Sequence, residues 1–121
     1  MREITDHKVD GDLPQNQLIV MARDERGSGG ANHCYSIEAP GHISPVVISF
    51  QNGPIKEAGI NGITNEVLLA VVADRLRGFK AGPFKSLEND FALQSVEDAL
   101  SHLKARTKSR LARGVEGVMV P

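Results

Sequence analysis

Three arginines near the end of the chain, Arg106, Arg110 and Arg113, follow one another at spacings of four and three. On an α-helix this gathers them within an arc of roughly 60°. A guanidinium group is planar and permanently charged, and its fork grips phosphate through paired, charge-assisted hydrogen bonds. Such a row suits a small, multiply charged ligand. It suits equally well a solvated tail, because Lys and Arg near a helix C-terminus complement the helix dipole. Phe79, between Gly78 and Lys80, offers an aromatic plane on which a base stacks with ~1 to 3 kcal/mol, or else closes a helix pair as ordinary core. Asn89 either completes a helix cap or reads the edge of a base.

Other chemistries find less support. His33 and Cys34 are adjacent and on a strand point to opposite faces, while His7, His42 and His102 lack metal-ligand spacing. No spacing gives Cys34 a general base, and a packed thiol is the simpler reading. The run Gly27-Ser28-Gly29-Gly30 lacks the lysine and hydroxyl of a phosphate-binding loop and precedes a strand, so it reads as a mobile hairpin tip. Acids such as Glu57, Glu88 and Glu97 are scattered, without an acid/base pair. The expectation is a binding protein, with no catalytic residue, no metal and no cofactor.

The arginines need a long helix to hold them. Leu93, Val96, Leu100 and Leu103 recur every three or four residues, which defines an inward stripe on a helix over about residues 86–113, capped by Ser86. Before it, Leu68, Leu69, Val72, Leu76 and Phe79 share one face of a helix running from a Thr64 or Asn65 cap to about Arg77. Val67 and Val71 lie on another face. A helix apolar on two sides has more surface to hide than one sheet can cover, and this implies a partner subunit. The short link between the helices makes them antiparallel neighbours.

The first half reads as short strands. Residues 18–23, 32–37 and 45–50 read as strands separated by glycine-rich turns, with another short strand near Ile4. The predicted fold class is α+β, an antiparallel β-meander followed by two antiparallel C-terminal helices. It forms a single domain over residues 1–121: an irregular arm (1–16), a sheet (17–63), a helical hairpin (64–113) and a tail (114–121).

A chain of 121 residues with 40% hydrophobic content supports one modest core. Its formal net charge of −1 argues against a general nucleic-acid binder, although five Lys and Arg face one Glu from Ser101 onward. A lone cysteine cannot make an internal disulfide, and neither a membrane-spanning run nor a signal peptide is visible. A cytoplasmic protein fits.

Three segments carry a resemblance: Phe50-Gln51-Asn52-Gly53-Pro54-Ile55-Lys56-Glu57, Gly59-Ile60-Asn61-Gly62-Ile63-Thr64-Asn65-Glu66 and Arg113-Gly114-Val115-Glu116-Gly117. Together they resemble the phage Thoeris anti-defence sponge family, first type, over residues 18–117. The resemblance implies a viral protein that sequesters glycocyclic ADP-ribose, the signal made by bacterial TIR-domain enzymes, without degrading it. It implies a homo-oligomer, a dimer with ligand pockets at subunit interfaces, and in some members a hexamer that also takes cyclic oligonucleotides. By position it assigns base stacking to Phe79, polar recognition to Asn89 and phosphate binding to Arg106, Arg110 and Arg113. The alternative is a small nucleic-acid-binding protein that uses the basic C-terminal helix, and a nucleotide hydrolase ranks third.

Overall fold

The computed structural model describes residues 1–118 and 120, so residues 119 and 121 of the expected tail lie outside the described residues. The architecture is α+β, as the sequence pattern implies. The chain divides into two compact units, Met1–Gly62 and Ile63–Pro121.

The first unit is a four-stranded antiparallel sheet in sequential order: β1 (Arg2–Ile4), β2 (Ile19–Ala22), β3 (Cys34–Ala39) and β4 (Ile43–Ser49). Val20 lies opposite Ile37 and Tyr35 opposite Ile48, with an irregularity between Ile37 and Ala39. Tyr35 meets Phe50 edge to face, with ring centroids 5.7 Å apart. The buried residues of this sheet are small, namely Ala22, Ser36 and Ala39, whereas Ile43, Val46 and Val47 of edge strand β4 are exposed. After β4 the chain makes a one-turn helix, α1 (Ile55–Ala58), inside a loop within residues that the sequence pattern assigns to the sheet region 17–63.

That loop is tied together by side-chain amides. Asn61 Oδ1 accepts from the Asn52 amide at 2.8 Å, and Asn61 Nδ2 donates to the Asn52 carbonyl at 2.7 Å. Gln51 Nε2 donates to the carbonyls of Gly53 and Gly59, and Gln51 Oε1 accepts from the Asn61 amide. Gly62 is needed for close approach, since a Cβ there would sit 2.6 Å from the Ser49 carbonyl oxygen and nearer still to the Phe50 backbone.

The β2–β3 tip is ordered by Asp24. Its carboxylate accepts from the His33 amide at 3.0 Å, Asn32 Nδ2 donates to the Asp24 carbonyl, and a His33 ring nitrogen meets the Ser28 carbonyl. The His33 amide is the main reason the Asp24 carboxyl is held below its ordinary value of 3.8. A carboxylate whose pKa falls on folding contributes stability that is fully present above the unfolded value and lost as pH drops through the folded one. Asp24→Asn should therefore melt below the wild type at neutral pH, with the difference vanishing in strong acid. Thermal melts across that pH range check this.

The second unit is a helical hairpin, α2 (Asn65–Ala81) and α3 (Leu87–Ala112). Thr64 caps α2 by accepting from the Val67 amide, and Ser86 caps α3 by accepting from the Asn89 amide, as sequence reasoning expects. Ala73 and Leu93 are buried, with Val96, Leu100 and Leu103 half-buried along the expected stripe. Two points differ from expectation. α2 passes through Gly78 and ends at Gly82, so Phe79 sits inside the helix rather than in a hinge after it. The ~1 kcal/mol cost of an interior glycine is small enough to be outweighed by packing along the hairpin. Val72 joins Val67 and Val71 on the exposed side.

Candidate functional site

All five residues singled out by the sequence lie in the helical hairpin, but they fall into two groups. Phe79 and Asn89 sit near the turn that joins the helices, whereas Arg106, Arg110 and Arg113 sit at the far end of α3. From Asn89 to Arg106 the helix rises about 26 Å at 1.5 Å per residue. One small ligand cannot touch both groups of the same chain.

At the turn end, the Arg75 guanidinium lies over the Phe79 ring, 5.2 Å from its centroid. The two are four residues apart and share one side of α2. This cation–π contact orients the ring and adds a cation that sequence reasoning missed, although the i, i+4 spacing was there to read. Asn89 spends its backbone amide on the Ser86 cap, while its side-chain amide has no hydrogen bond among the described residues. The next residue, Asp90, holds a buried carboxylate oxygen, Oδ1, with no hydrogen-bond partner among the described residues. Phe84, Leu87 and Phe91 surround the turn as exposed apolar residues. The turn end thus offers an aromatic ring, an amide and an acceptor, a set suited to a nucleobase and its sugar.

At the far end the three arginines behave differently. Arg106 is exposed, with no hydrogen bond or ion pair among the described residues. Arg113 is the C-cap of α3, and its amide donates to the Ser109 carbonyl at 3.1 Å. Arg110 is buried, only 7% exposed, because its position on the helix is about 20° from that of Leu103 and therefore at the margin of the inward stripe. Gly114, at φ +71°, turns the chain back so that residues 115–118 and 120 close over Arg110. Its Nε donates to Glu116 Oε2 at 3.1 Å, its Nη2 to the carbonyls of Val115 and Val118 at 2.8 and 2.9 Å, and its Nη1 to the Val120 carbonyl. Arg110 in this state therefore anchors residues that follow α3, through Val115, Glu116, Val118 and Val120.

A family model described as "Acb2/Tad1, hairpin domain" matches residues 42–108, which include β4, the amide-tied loop and most of the helical hairpin. The chain is also 46% identical over 106 residues to "Thoeris anti-defense 1" of Bacillus phage SBSphiJ7, an alignment spanning 87% of this chain and 73% of that protein. The chain belongs to the Acb2/Tad1 family of Thoeris anti-defence proteins. In this family member the segments that carry the sequence resemblance are used architecturally. Gln51, Asn52 and Asn61 bind one another's backbone, and Gly114 and Glu116 shape the cover over Arg110.

The first unit of this Acb2/Tad1 protein has an open polar cleft of about 270 Å³, lined by residues that include Asp24, His33, Cys34, Asn52 and Asn61. Most of its polar groups are engaged in the hairpin tip or the loop. Among the described residues, no group of three His, Cys, Asp or Glu could hold a metal ion, and no helix is long and apolar enough to cross a membrane.

Proposed function

We propose that this protein is a phage anti-defence factor that disables Thoeris by binding and sequestering the TIR-derived signal glycocyclic ADP-ribose without cleaving it. The site is composite, built from the turn end of one copy and the arginine end of another. The carrying observation is the separation of about 26 Å along α3 between Asn89 and Arg106. The chain has groups suited to a base and groups suited to a diphosphate, and only a second copy, running the opposite way, brings the two sets together. Phe79 stacks on a base, Asn89 reads polar atoms, and Arg106, Arg113 and a released Arg110 take the phosphates. A guanidinium, an amide and an aromatic ring hold charge, edges and faces and do not themselves activate water, and the Asp90 carboxylate serves as an acceptor for the ligand.

The name of the phage relative, Thoeris anti-defense 1, supports the anti-Thoeris role. The exposed apolar faces support the second copy: Val67 is 51% and Val71 62% exposed, and the buried apolar residues described are three alanines and one leucine. The nucleic-acid reading loses its main support once Arg110 is buried, because the row of outward-facing arginines is broken. Titration calorimetry with glycocyclic ADP-ribose tests the proposal. Saturable binding with one ligand per composite site is expected, and no heat of binding with intact, folded protein contradicts it.

A further inference from the structure

Arg110 already binds an anion, and the anion belongs to the protein. The Glu116 carboxylate is on Nε at 3.1 Å, and carbonyl oxygens of Val115, Val118 and Val120 take the remaining edge of the guanidinium. A carboxylate and several carbonyls around one fork imitate a phosphate in geometry and in sign. The Arg110 side chain is almost entirely buried, whereas that of Glu116 keeps about a third of its surface in contact with solvent, 8% against 32%. The exposed partner is the one that can leave.

We propose that Glu116 is a specificity-determining residue: an internal counter-ion that occupies Arg110 and that a ligand must displace, so that a diphosphate gains entry over a single phosphate group. This rests on the sequestration reading for its biological meaning and on the Arg110 cover alone for its physics. Displacing Glu116 exposes a buried cation to the incoming group and returns one carboxylate to water. A single phosphate group confined to Arg110 replaces one charge-assisted bond with another and gains little. A diphosphate brings a second charge and more acceptors, and these reach Arg106 one turn away. Glu116 thus guards Arg110 until a diphosphate displaces its carboxylate.

The test compares wild type, Glu116→Gln and Glu116→Asp by calorimetry with sodium pyrophosphate, inorganic phosphate and glycocyclic ADP-ribose. Circular dichroism confirms the helices in each protein. Glu116→Gln keeps the shape and removes the competing charge, so it should bind pyrophosphate about tenfold more tightly, the order of one charge-assisted hydrogen bond. It should also gain affinity for inorganic phosphate, narrowing the wild type's discrimination between the two. Glu116→Asp keeps the charge and should stay near wild type. Nitrogen-15 NMR gives a readout on the unaltered protein, since the Arg110 Nε–H signal should shift as pyrophosphate saturates the site. Equal or weaker pyrophosphate binding by Glu116→Gln, or an Arg110 signal that does not move at saturation, overturns the counter-ion role. If pyrophosphate behaves as expected while glycocyclic ADP-ribose binds to none of the three proteins, the counter-ion role stands and the proposed ligand falls.

Discussion

Arg106→Ala should weaken glycocyclic ADP-ribose binding by roughly 10- to 150-fold, the equivalent of about 1.5 to 3 kcal/mol for hydrogen bonds to a charged group. The thermal melt should barely change, because Arg106 is exposed and makes no ion pair among the described residues. Arg106→Lys should recover only part of the loss, since an ammonium lacks the paired donors of the guanidinium. Phe79→Ala should cost a similar amount through lost stacking, ~1 to 3 kcal/mol, and also opens a hole where the half-buried ring packs. Phe79→Leu fills most of that hole and removes the π face, so its affinity should fall while its melt holds. The composite site makes a sharper demand. Mixing unfolded Phe79→Ala and Arg106→Ala chains and refolding them together should restore about one site in four, because a mixed dimer has one site with both native groups. Calorimetric stoichiometry of the mixture measures this, and a mixture no better than its parents would place all the contacts on one chain.

Val71→Glu should break the assembly. The wild type is expected to sediment as an oligomer at micromolar concentration, because Val67, Val71 and Val72 leave an apolar strip along α2 in contact with solvent. Burying one valine is worth about 1.5 kcal/mol or more. A two-fold interface counts it twice, so losing it raises the dissociation constant by roughly 100-fold before the cost of burying a carboxylate is added. Ligand binding should fall in parallel, since a composite site cannot survive in a monomer. Analytical ultracentrifugation of both proteins, with and without ligand, provides the measurement. A wild type that is monomeric throughout contradicts both the interface and the site.

Much of this architecture was legible in the sequence because it depends on short-range rules. Alternation around Ile37 and the short apolar, Val- and Ile-rich runs around Val20 and Val46 mark strands, and the Thr64 and Ser86 hydroxyls mark helix starts by capping chemistry that involves only the next three residues. The exposure of Val67 and Val71 also followed from helical spacing. What was not legible depends on contacts that periodicity does not encode. α1 is a single turn after Pro54, too short to show a period. The continuation of α2 through Gly78 reflects packing against α3, which propensity alone does not supply. Arg110 looked like one of three equivalent arginines. Its 20° offset toward the stripe and the reversal at Gly114 bury it, and the partners that hold it come from beyond the helix. The division of the candidate site into two ends followed from nothing more than helix rise, but it required the true limits of α2 and α3. The role of Arg75 was hidden because an exposed arginine on a helix is unremarkable until an aromatic ring is found beneath it.

The central claim is that the protein holds its ligand without altering it. Incubating an excess of protein with glycocyclic ADP-ribose, heating to unfold the protein and separating the released nucleotides by chromatography tests that claim directly. The proposed composite site uses cations, an amide, a ring and the Asp90 acceptor for binding alone, so the signal should be recovered intact and in full, at any incubation time. Linear ADP-ribose appearing at a rate proportional to protein concentration would contradict the account and identify the protein as an enzyme.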